Sequence, residues 1–432
     1  SSATSLITLN GADRVTFDGR INQSGAPNNL IISNTNVAGT TLKLAADACS
    51  NTMMYCDFRG VGTGMTSGVI SFAAGSTSGN DNNLIDNCIV RNGATTPVCG
   101  IYAAGTPTVL NEDNTVRNCN IYDWFNPSAG YSSFGIRLDA GNARWTLKGN
   151  SLYQTAARTD NSGWPIYVDC PLTNEFLIED NYIGGTAPMC GGAQQNWTSS
   201  AYLCSYYGIL LVCSNTGIST IKNNTIQNIH FTQYGDEYLG VIYSDFSPIA
   251  TTGRIDVIGN KMGDASNGSL WVTCNDNGTQ RGGITSIIKG GDGMVLDNEI
   301  GSFNIDGSIN DQLLFNGIQI TGTLINDVVI SGNTVGHSST ANSIQTIGTF
   351  PPVTFGGIYF GTAGNYTTTV SNNLVANVTL NNTGTIPFCI GMSNQATGGT
   401  QRIIGNTVRN LQTSATNTTT GNMPALVGII NN

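Results

Sequence analysis

The sequence predicts an all-β protein: a single right-handed parallel β-helix of about twelve coils. Three observations predict it. One short phrase returns along the whole chain, a second phrase of alternating apolar residues lies between its copies, and no window has convincing helical periodicity. Only 10% of the 432 residues are charged, but 39% are hydrophobic, which is enough apolar material for a core. Solenoids of this length form one domain, so we expect residues 1–432 to have no internal boundary.

The first phrase has five parts in a fixed order. Two apolar residues are followed by one small polar residue, then by a Cys or Asn, then by one residue of any type, and finally by an apolar residue. Successive copies are evenly spaced in the first half of the chain, as from Cys56 to Cys88 and from Cys88 to Cys119, and are further apart and unevenly spaced in the second. A constant phrase at a variable period indicates fixed strands with longer loops in the second half, the longest insertion being at about 186–206. The Cys or Asn positions are Cys56, Cys88, Cys119, Asn150, Asn181, Asn224, Asn260, Asn298, Asn333, Asn373 and Asn406.

The second phrase is Gly followed by alternating apolar residues, as in Gly135-Ile-Arg-Leu138 and Gly357-Ile-Tyr-Phe360. Each coil therefore carries at least two short strands. In a parallel β-helix, alternate side chains point inward and stack on the equivalent residue one coil away, at about 4.8 Å. Asn suits the corners because it tolerates the left-handed backbone conformation, and stacked amides can hydrogen-bond along the axis.

Eleven cysteines indicate disulfides in an oxidising compartment, and the odd count leaves at least one thiol free or intermolecular. Cys56, Cys88 and Cys119 share the stacked corner. Two interpretations stay open for them: a buried ladder of small side chains, or a disulfide between adjacent coils, because a Cα separation of about 4.8 Å is within disulfide range. Cys190 and Cys204 lie in the longest insertion, where a disulfide between them would staple it.

Composition excludes several classes of partner. A net charge of −10 without any basic run argues against nucleic-acid binding. No stretch reaches the ~20 apolar residues of a membrane span. With only His230 and His337, and no CxxC, we expect no metal site and no cofactor. Gly290-Gly-Asp-Gly293 matches a calcium repeat only in part and is interpreted as a turn.

Several phrases resemble the β-helical regions of very large cell-surface proteins of Bacteroidota. They include Ile7-Thr-Leu-Asn-Gly-Ala-Asp-Arg-Val-Thr-Phe-Asp-Gly19, Asp180-Asn-Tyr-Ile-Gly-Gly-Thr186 and Gly332-Asn-Thr-Val-Gly336, and the resemblance covers nearly the whole chain. It implies type IX secretion and a location at the cell surface or outside the cell, and many such proteins are adhesins. Members usually carry a C-terminal sorting domain, which this sequence lacks, and we interpret that as maturation or a fragment.

The favoured function is therefore an extracellular structural or adhesive cell-surface protein. Ser5-Leu-Ile-Thr-Leu9 and Leu426-Val-Gly-Ile-Ile430 are strand-like, and neither is accompanied by a capping sequence. We expect the solenoid ends to contact copies of the same chain or neighbouring domains of a longer one. Head-to-tail contact without closure would give a fibre.

The alternative is a carbohydrate-active β-helix that binds or hydrolyses a polysaccharide. Asp139 and Asp169 follow equivalent strands one coil apart, and Asp245 lies further along on a comparable strand. A stacked carboxylate pair would couple and raise one pKa into the range of an acid catalyst. Asp at a strand end is, however, ordinarily a turn residue, and no Arg or Lys pair recurs at coil spacing to serve a lyase, so the sequence favours a protein that is not an enzyme.

Aromatic residues crowd the middle third of the chain and could form a platform for sugar rings. The alternative, which we favour, is that they pack the insertion loops onto the coil. The candidate glycan-binding residues are Trp164, Tyr167, Trp197, Tyr206 and Tyr207.

Overall fold

The structure is a computed structural model that describes residues 3–26, 28–126, 128–200, 204–214, 217–233, 238–246, 253–264, 266–275, 283–307, 313–348, 353–381, 388–414 and 426–431. Within these ranges the chain forms three long sheets of parallel strands and no α-helix. Ile21–Gln23 is a single turn of 3-10 helix. The predicted parallel β-helix is confirmed.

Sheet A contains 13 strands of the described chain, and each pairs with the equivalent strand one coil away. Twelve complete coils lie between the first and the last of them, in agreement with the predicted count. The strands of sheet A are Ser5–Asn10, Thr40–Ala45, Ile70–Phe72, Cys99–Ala103, Ser132–Leu138, Ser162–Cys170, Tyr206–Cys213, Tyr238–Phe246, Gly283–Gly290, Leu313–Thr323, Val353–Ala363, Cys389–Asn394 and Leu426–Asn431.

Sheet B contains 12 strands of the described chain in the same coil order. They are short because a sharp corner lies on either side. The strands of sheet B are Thr16–Asp18, Thr52–Met54, Leu84–Asp86, Thr115–Arg117, Thr146–Lys148, Leu177–Glu179, Ile218–Lys222, Arg254–Ile258, Gly293–Leu296, Val328–Ser331, Thr367–Ser371 and Thr400–Ile404.

Sheet C closes each coil. In the middle of the molecule each coil contributes two short strands to this sheet, for example Ser151–Tyr153 and Arg158–Thr159. A small extra ladder pairs Asn111–Glu112 with Asn142–Ala143. The strands of sheet C are Leu30–Ser33, Cys56–Gly60, Ile89–Asn92, Asn120–Tyr122, Ser151–Tyr153, Arg158–Thr159, Tyr182–Ile183, Gln195–Thr198, Thr225–Ile226, Ile229–Gln233, Lys261–Met262, Leu270–Cys274, Glu299–Ile300, Phe303–Gly307, Thr334–Val335, Ile344–Thr346, Leu374–Leu380 and Thr407–Thr413.

The core runs along the axis between the three sheets. Ile136, Ile166 and Ile209 occupy the same register position in successive strands of sheet A, and each is fully buried. Such columns stack one apolar side chain per coil, so burial grows in proportion to the number of coils.

The predicted insertion at about 186–206 is in part regular structure. Gln195–Thr198 lies in sheet C, where it pairs with Arg158–Thr159 on one side and Ile229–Gln233 on the other. The insertion therefore supplies one strand to sheet C, and Tyr206 begins the next strand of sheet A.

Candidate functional site

The corner that leads into sheet C carries one stacked Cys or Asn per coil, and we call this column the corner ladder. Its members are the 11 positions identified from the repeated phrase, Cys56 to Asn406. The residue before each member has a positive φ, for example +54° at Asn118, +65° at Gly149 and +56° at Asp180. The left-handed corner residue is therefore the one before the ladder position, which corrects the expectation that the ladder asparagine itself takes this conformation.

Each ladder asparagine from Asn150 to Asn373 is bonded to the next coil twice. Asn224 donates from Nδ2 to Oδ1 of Asn260 at 2.9 Å, and its backbone N–H donates to the same oxygen at 3.0 Å. Nδ2 also donates to the carbonyl of Ile178 in the preceding coil at 2.9 Å. Each buried amide thus has partners in the coils before and after it, and none of its polar atoms is left unsatisfied.

The same bonds repeat along the whole asparagine part of the ladder. Nδ2 to Oδ1 distances from Asn150 to Asn406 are all 2.9–3.0 Å. Asn150 to Asn373 are 0–1% exposed. The result is an unbroken chain of side-chain hydrogen bonds parallel to the axis.

The cysteine part of the ladder is bonded more weakly. The backbone N–H of Cys88 donates to Sγ of Cys119 at 3.4 Å, and Cys119 Sγ lies 3.1 Å from the carbonyl of Arg117. Burial, together with a hydrogen bond between the Cys88 thiol and Cys119, raises the pKa of the Cys88 thiol well above its usual value. Cys56, Cys88 and Cys119 are thiols in the structure, so the ladder interpretation describes them here, and a disulfide between coils stays a prediction.

Cys190, one of the two cysteines predicted to staple the insertion, is also a buried thiol. Its Sγ lies 3.3 Å from the carbonyl of Ile183. Cys204 is buried as well. A disulfide between the two stays a prediction.

Asp139, Asp169 and Asp245, the predicted candidates for catalysis, lie on the outer face of sheet A. Leu138 is opposite Val168, which places Asp139 beside Asp169 one coil away. Val212 separates Asp169 from Asp245 in the same column. The three carboxylates therefore share a column, and only the first two are neighbours.

A tyrosine hydroxyl is within hydrogen-bond distance of each of these carboxylates. Tyr102 Oη lies 3.3 Å from Asp139, and Tyr167 Oη lies 3.3 Å from Asp169. Burial, together with the adjacent aspartate charge, raises the pKa of both tyrosines to about 12, so the hydroxyls stay protonated and act as donors. Tyr243 stands in the same relation to Asp245, at 3.1 Å.

Asp139 has a second partner, Arg137 on the same strand, at 2.7 Å between Nε and Oδ1. The Arg137 guanidinium also lies 4.6 Å from the ring centroid of Phe134. Both oxygens of the Asp139 carboxylate thus have partners on the same face of sheet A, Arg137 at Oδ1 and Tyr102 at Oδ2. This geometry favours the structural interpretation of the column.

The aromatic residues on this face lie against one another. The rings of Trp164 and Tyr207 are stacked, with centroids 4.9 Å apart and planes 6° apart. Tyr207 covers Gly240 with its other face, because a Cβ on that glycine would lie 2.1 Å from the ring. Tyr167 meets Trp164 edge-on at 5.5 Å. Both faces of Tyr207 are therefore covered, whereas a sugar ring needs an open aromatic face.

Trp197 and Tyr206, the other two candidate glycan-binding residues, are inside the core. They are 0% and 1% exposed, and their rings contact each other edge-on at 5.5 Å. Trp197 points inward because the insertion that carries it returns as a strand of sheet C. Neither ring can stack on a ligand from solvent, which corrects the expectation for these two residues.

An arginine pair at coil spacing was missed from the sequence. Arg59 and Arg91 are opposite each other in sheet C. Both bind Asp57, Arg59 at 2.6 Å and Arg91 at 3.2 Å. The expectation that no Arg or Lys pair recurs at coil spacing is wrong, but the shared carboxylate partly neutralises this pair.

A second polar chain on sheet C links three successive coils. Thr273 Oγ1 donates to Asp306 at 2.5 Å and lies 2.9 Å from Nε2 of His230, so the histidine donates to the threonine oxygen. The ring of Trp271 lies 5.8 Å from that of His230. Burial lowers the pKa of His230, which keeps the imidazole neutral near pH 7.

The Gly290–Gly293 motif, interpreted as a turn, forms the corner between Gly283–Gly290 and Gly293–Leu296. Lys289 is buried inside this corner. Its Nζ donates to the carbonyls of Gly291, at 2.8 Å, and of Asp292. Burial lowers the pKa of Lys289 to about 8. The ammonium thus fills a space inside the corner that backbone carbonyls line.

Across the described ranges, no group of three or more His, Cys, Asp and Glu side chains is arranged to hold a metal ion. Nor does any helix in them have the length and apolarity needed to cross a membrane.

No model of a known protein family matches the chain, and no curated protein matches it. The resemblance to type IX-secreted surface proteins of Bacteroidota therefore stays a prediction. The function has to be inferred from the geometry.

Proposed function

We propose that the chain is an extracellular structural or adhesive cell-surface protein that acts as a stiff rod. The observation that carries this proposal is the corner ladder, whose hydrogen bonds join every coil from Asn150 to Asn406 to the next. A buried polar network that is fully satisfied rigidifies the structure around it. Secretion and a surface location are supported by the sequence resemblance and the cysteine content.

The outer faces support a structural role as well. The carboxylates predicted for catalysis have tyrosine or arginine partners within the same sheet, and Arg59 and Arg91 share Asp57. Groups committed to such partners are poorly suited to proton transfer, which needs a group free to change its protonation state. Contact of the solenoid ends with copies of the chain or neighbouring domains forms part of this proposal.

Electron microscopy of the natively purified protein, at near-cellular concentration, tests the proposal. Twelve coils at about 4.8 Å correspond to a rod about 60 Å long. We expect straight rods, and filaments with that repeat if the ends contact one another. Flexible or rounded particles would contradict the rod, and monodisperse single rods would contradict the fibre.

A second candidate function is glycan binding or hydrolysis at the outer face of sheet A. It is favoured by one observation, the position of Asp139 beside Asp169 with Tyr167 and Trp164 in adjacent columns. Release of reducing sugars from a polysaccharide panel, lost in Asp139→Asn and Asp169→Asn but kept in the isolated surface variant Tyr131→Ala, would establish it. Absence of hydrolysis by the wild-type chain leaves the structural proposal as the account of this face.

A further inference from the structure

The outer face of sheet B contains a cavity of about 560 Å³. This volume lies within the range of about 300–1,000 Å³ that is usual for ligand pockets. The residues that give the cavity its character are Arg254, Met294, Asn326, Asp327, Val329 and Tyr366.

The cavity is elongated along the axis of the solenoid. Arg254 begins one strand of sheet B, Met294 and Val329 lie on the next two, and Tyr366 directly precedes the fourth, Thr367–Ser371. Three steps between parallel strands correspond to about 14 Å. A linear ligand of several linked rings fits this shape better than a compact one.

The floor of the cavity is apolar. Met294 and Val329 are opposite each other in adjacent strands and point outward, since the neighbouring Val295 and Val328 are fully buried. Tyr366 is 41% exposed and, among the described residues, its ring pairs with no other aromatic ring. Tyr366 therefore has an exposed ring beside an apolar floor, whereas Trp164 and Tyr207 on sheet A are stacked on each other.

The polar groups around the floor have unused hydrogen-bonding capacity. Arg254 binds Asp256 through Nε at 3.0 Å, and within the described chain its two Nη groups donate to no other residue. Asp327 accepts the Thr367 N–H through Oδ1 at 2.7 Å, and Asn326 donates to Asp292 through Nδ2 at 3.0 Å. These bonds fix the side chains and leave Asp327 Oδ2 and Asn326 Oδ1 as acceptors.

We propose that this cavity binds a neutral oligosaccharide. Sugar hydroxyls would donate to Asp327 and Asn326, ring and hydroxyl oxygens would accept from the Arg254 guanidinium, and one sugar ring would lie on Tyr366. Charge argues against an anionic ligand, because Asp292 and Asp327 outnumber the single arginine that lines the cavity. The Arg254 Nη groups need oxygen acceptors, which a neutral sugar offers and a simple cation does not. The inference rests on the adhesive form of the proposed function and supplies its ligand class.

Isothermal titration calorimetry of the full chain tests this inference. The probes are linear hexasaccharides of β-1,4-glucose, β-1,4-xylose, β-1,4-mannose and α-1,4-glucose, with hexagalacturonate as the anionic counterpart. We expect at least one neutral probe to bind, and to bind more tightly than hexagalacturonate. Tyr366→Ala and Arg254→Met should each weaken that binding about tenfold or more, whereas Tyr366→Phe, which keeps the ring, should retain it.

Tyr131→Ala is the matched control, because Tyr131 is 55% exposed and lies outside the cavity. Thermal unfolding of every variant shows whether it is folded. No binding of any neutral probe, tighter binding of hexagalacturonate, or unchanged binding by Tyr366→Ala would each overturn the inference. Electron microscopy tests the rod shape without any ligand. A failure of oligosaccharide binding would therefore leave the structural role standing, and a failure to see rods would leave the binding result standing.

Discussion

The two parts of the corner ladder hold the same position with different chemistry. The cysteine part, Cys56 to Cys119, and the asparagine part, Asn150 to Asn406, follow the same left-handed corner, with φ of +53° at Asn87 and +54° at Asn223. Apart from Asn406 in the last coil, both parts are buried. The asparagine part makes three hydrogen bonds per coil at about 3 Å, whereas the Cys88 N–H has only a sulfur acceptor at 3.4 Å.

The difference follows the loops in part, because Asn150 and Asn181 keep the spacing of 31 residues that separates Cys88 from Cys119, and the longer spacings begin after Asn181. Every spacing longer than that from Cys56 to Cys88 lies in the asparagine part, where the coil must close again after a long excursion. A small buried side chain is enough to fill the corner of a regular coil. A corner after a long loop gains more from an amide that bonds both neighbouring coils, because loop closure costs conformational entropy.

Removing one amide from the middle of the asparagine part should have the largest effect. Asn260→Leu leaves Asn224 without its side-chain acceptor and Ile221 without its side-chain donor. Unsatisfied buried groups cost about 1–3 kcal/mol each, so we expect the free energy of unfolding in urea to fall by about 4 kcal/mol. Asn196→Leu, at an exposed asparagine of sheet C, should change it by less than about 0.5 kcal/mol, and equal losses would contradict the account.

Alkaline pH should weaken the cysteine part alone. The folded pKa of Cys88 is raised, so above pH ~9 the unfolded chain releases a proton that the folded chain keeps, and stability falls as pH rises. Cys88→Ala removes this loss. The cost of Cys88→Ala, measured by urea unfolding, should therefore be about 1 kcal/mol smaller at pH 10 than at pH 7. The cost of Asn260→Leu should not depend on pH, and a parallel change in both variants would contradict the assignment.

Extending the asparagine part by one coil should stabilise the protein slightly. In Cys119→Asn the new amide would meet Asn150 Oδ1, which now accepts the Cys119 N–H at 3.0 Å, and the carbonyl of Ile85. We expect thermal unfolding to show a gain of up to about 1 kcal/mol, the usual net value of a hydrogen bond. Cys119→Ser, which cannot reach both partners, is the control. A loss in Cys119→Asn as large as in Cys119→Ser would show that the two parts of the ladder differ in shape.

A substitution outside the corner ladder should have the smallest effect on the free energy of unfolding. Asp139→Asn replaces the ion pair with Arg137 on the outer face of sheet A by a neutral contact. Partly exposed ion pairs contribute about 0.2–1 kcal/mol, so we expect a loss of about 0.5 kcal/mol in urea unfolding. A loss comparable to that of Asn260→Leu would mean that the outer face, and not the ladder, dominates stability.

The sequence predicts the position and contacts of a residue well when that residue belongs to the repeated phrase. The ladder was predicted residue by residue because Cys88 and Asn224 sit in the same phrase despite different spacings. Arg59 and Arg91 could have been found by the same reasoning, since their spacing equals that from Cys56 to Cys88. A repeat period therefore carries information on outward residues wherever the loops between them keep the same length.

Other features carried no such signal. The sequence names Trp197 only as a glycan-binding candidate, because the strand that turns it into the core, Gln195–Thr198, has no counterpart in the phrase. His230, Thr273 and Asp306 are unevenly spaced along the chain, so variable loops hide their contact. Tyr366 directly precedes a strand, at a position where side chains are not constrained by the core. Where loops vary in length, outward residues are set by local geometry, which a period does not contain.

Hydrogen exchange of the native protein at pH 7, resolved by residue, tests most directly the claim that the asparagine ladder joins coil to coil. The N–H groups of Cys88 and Asn224 are both buried at the same corner and differ in their acceptor, sulfur in one and an amide oxygen in the other. We predict slower exchange at Asn224 than at Cys88, and faster exchange at Asn224 in Asn260→Leu. Equal protection of the two N–H groups, or protection at Asn224 unchanged by Asn260→Leu, would contradict the claim.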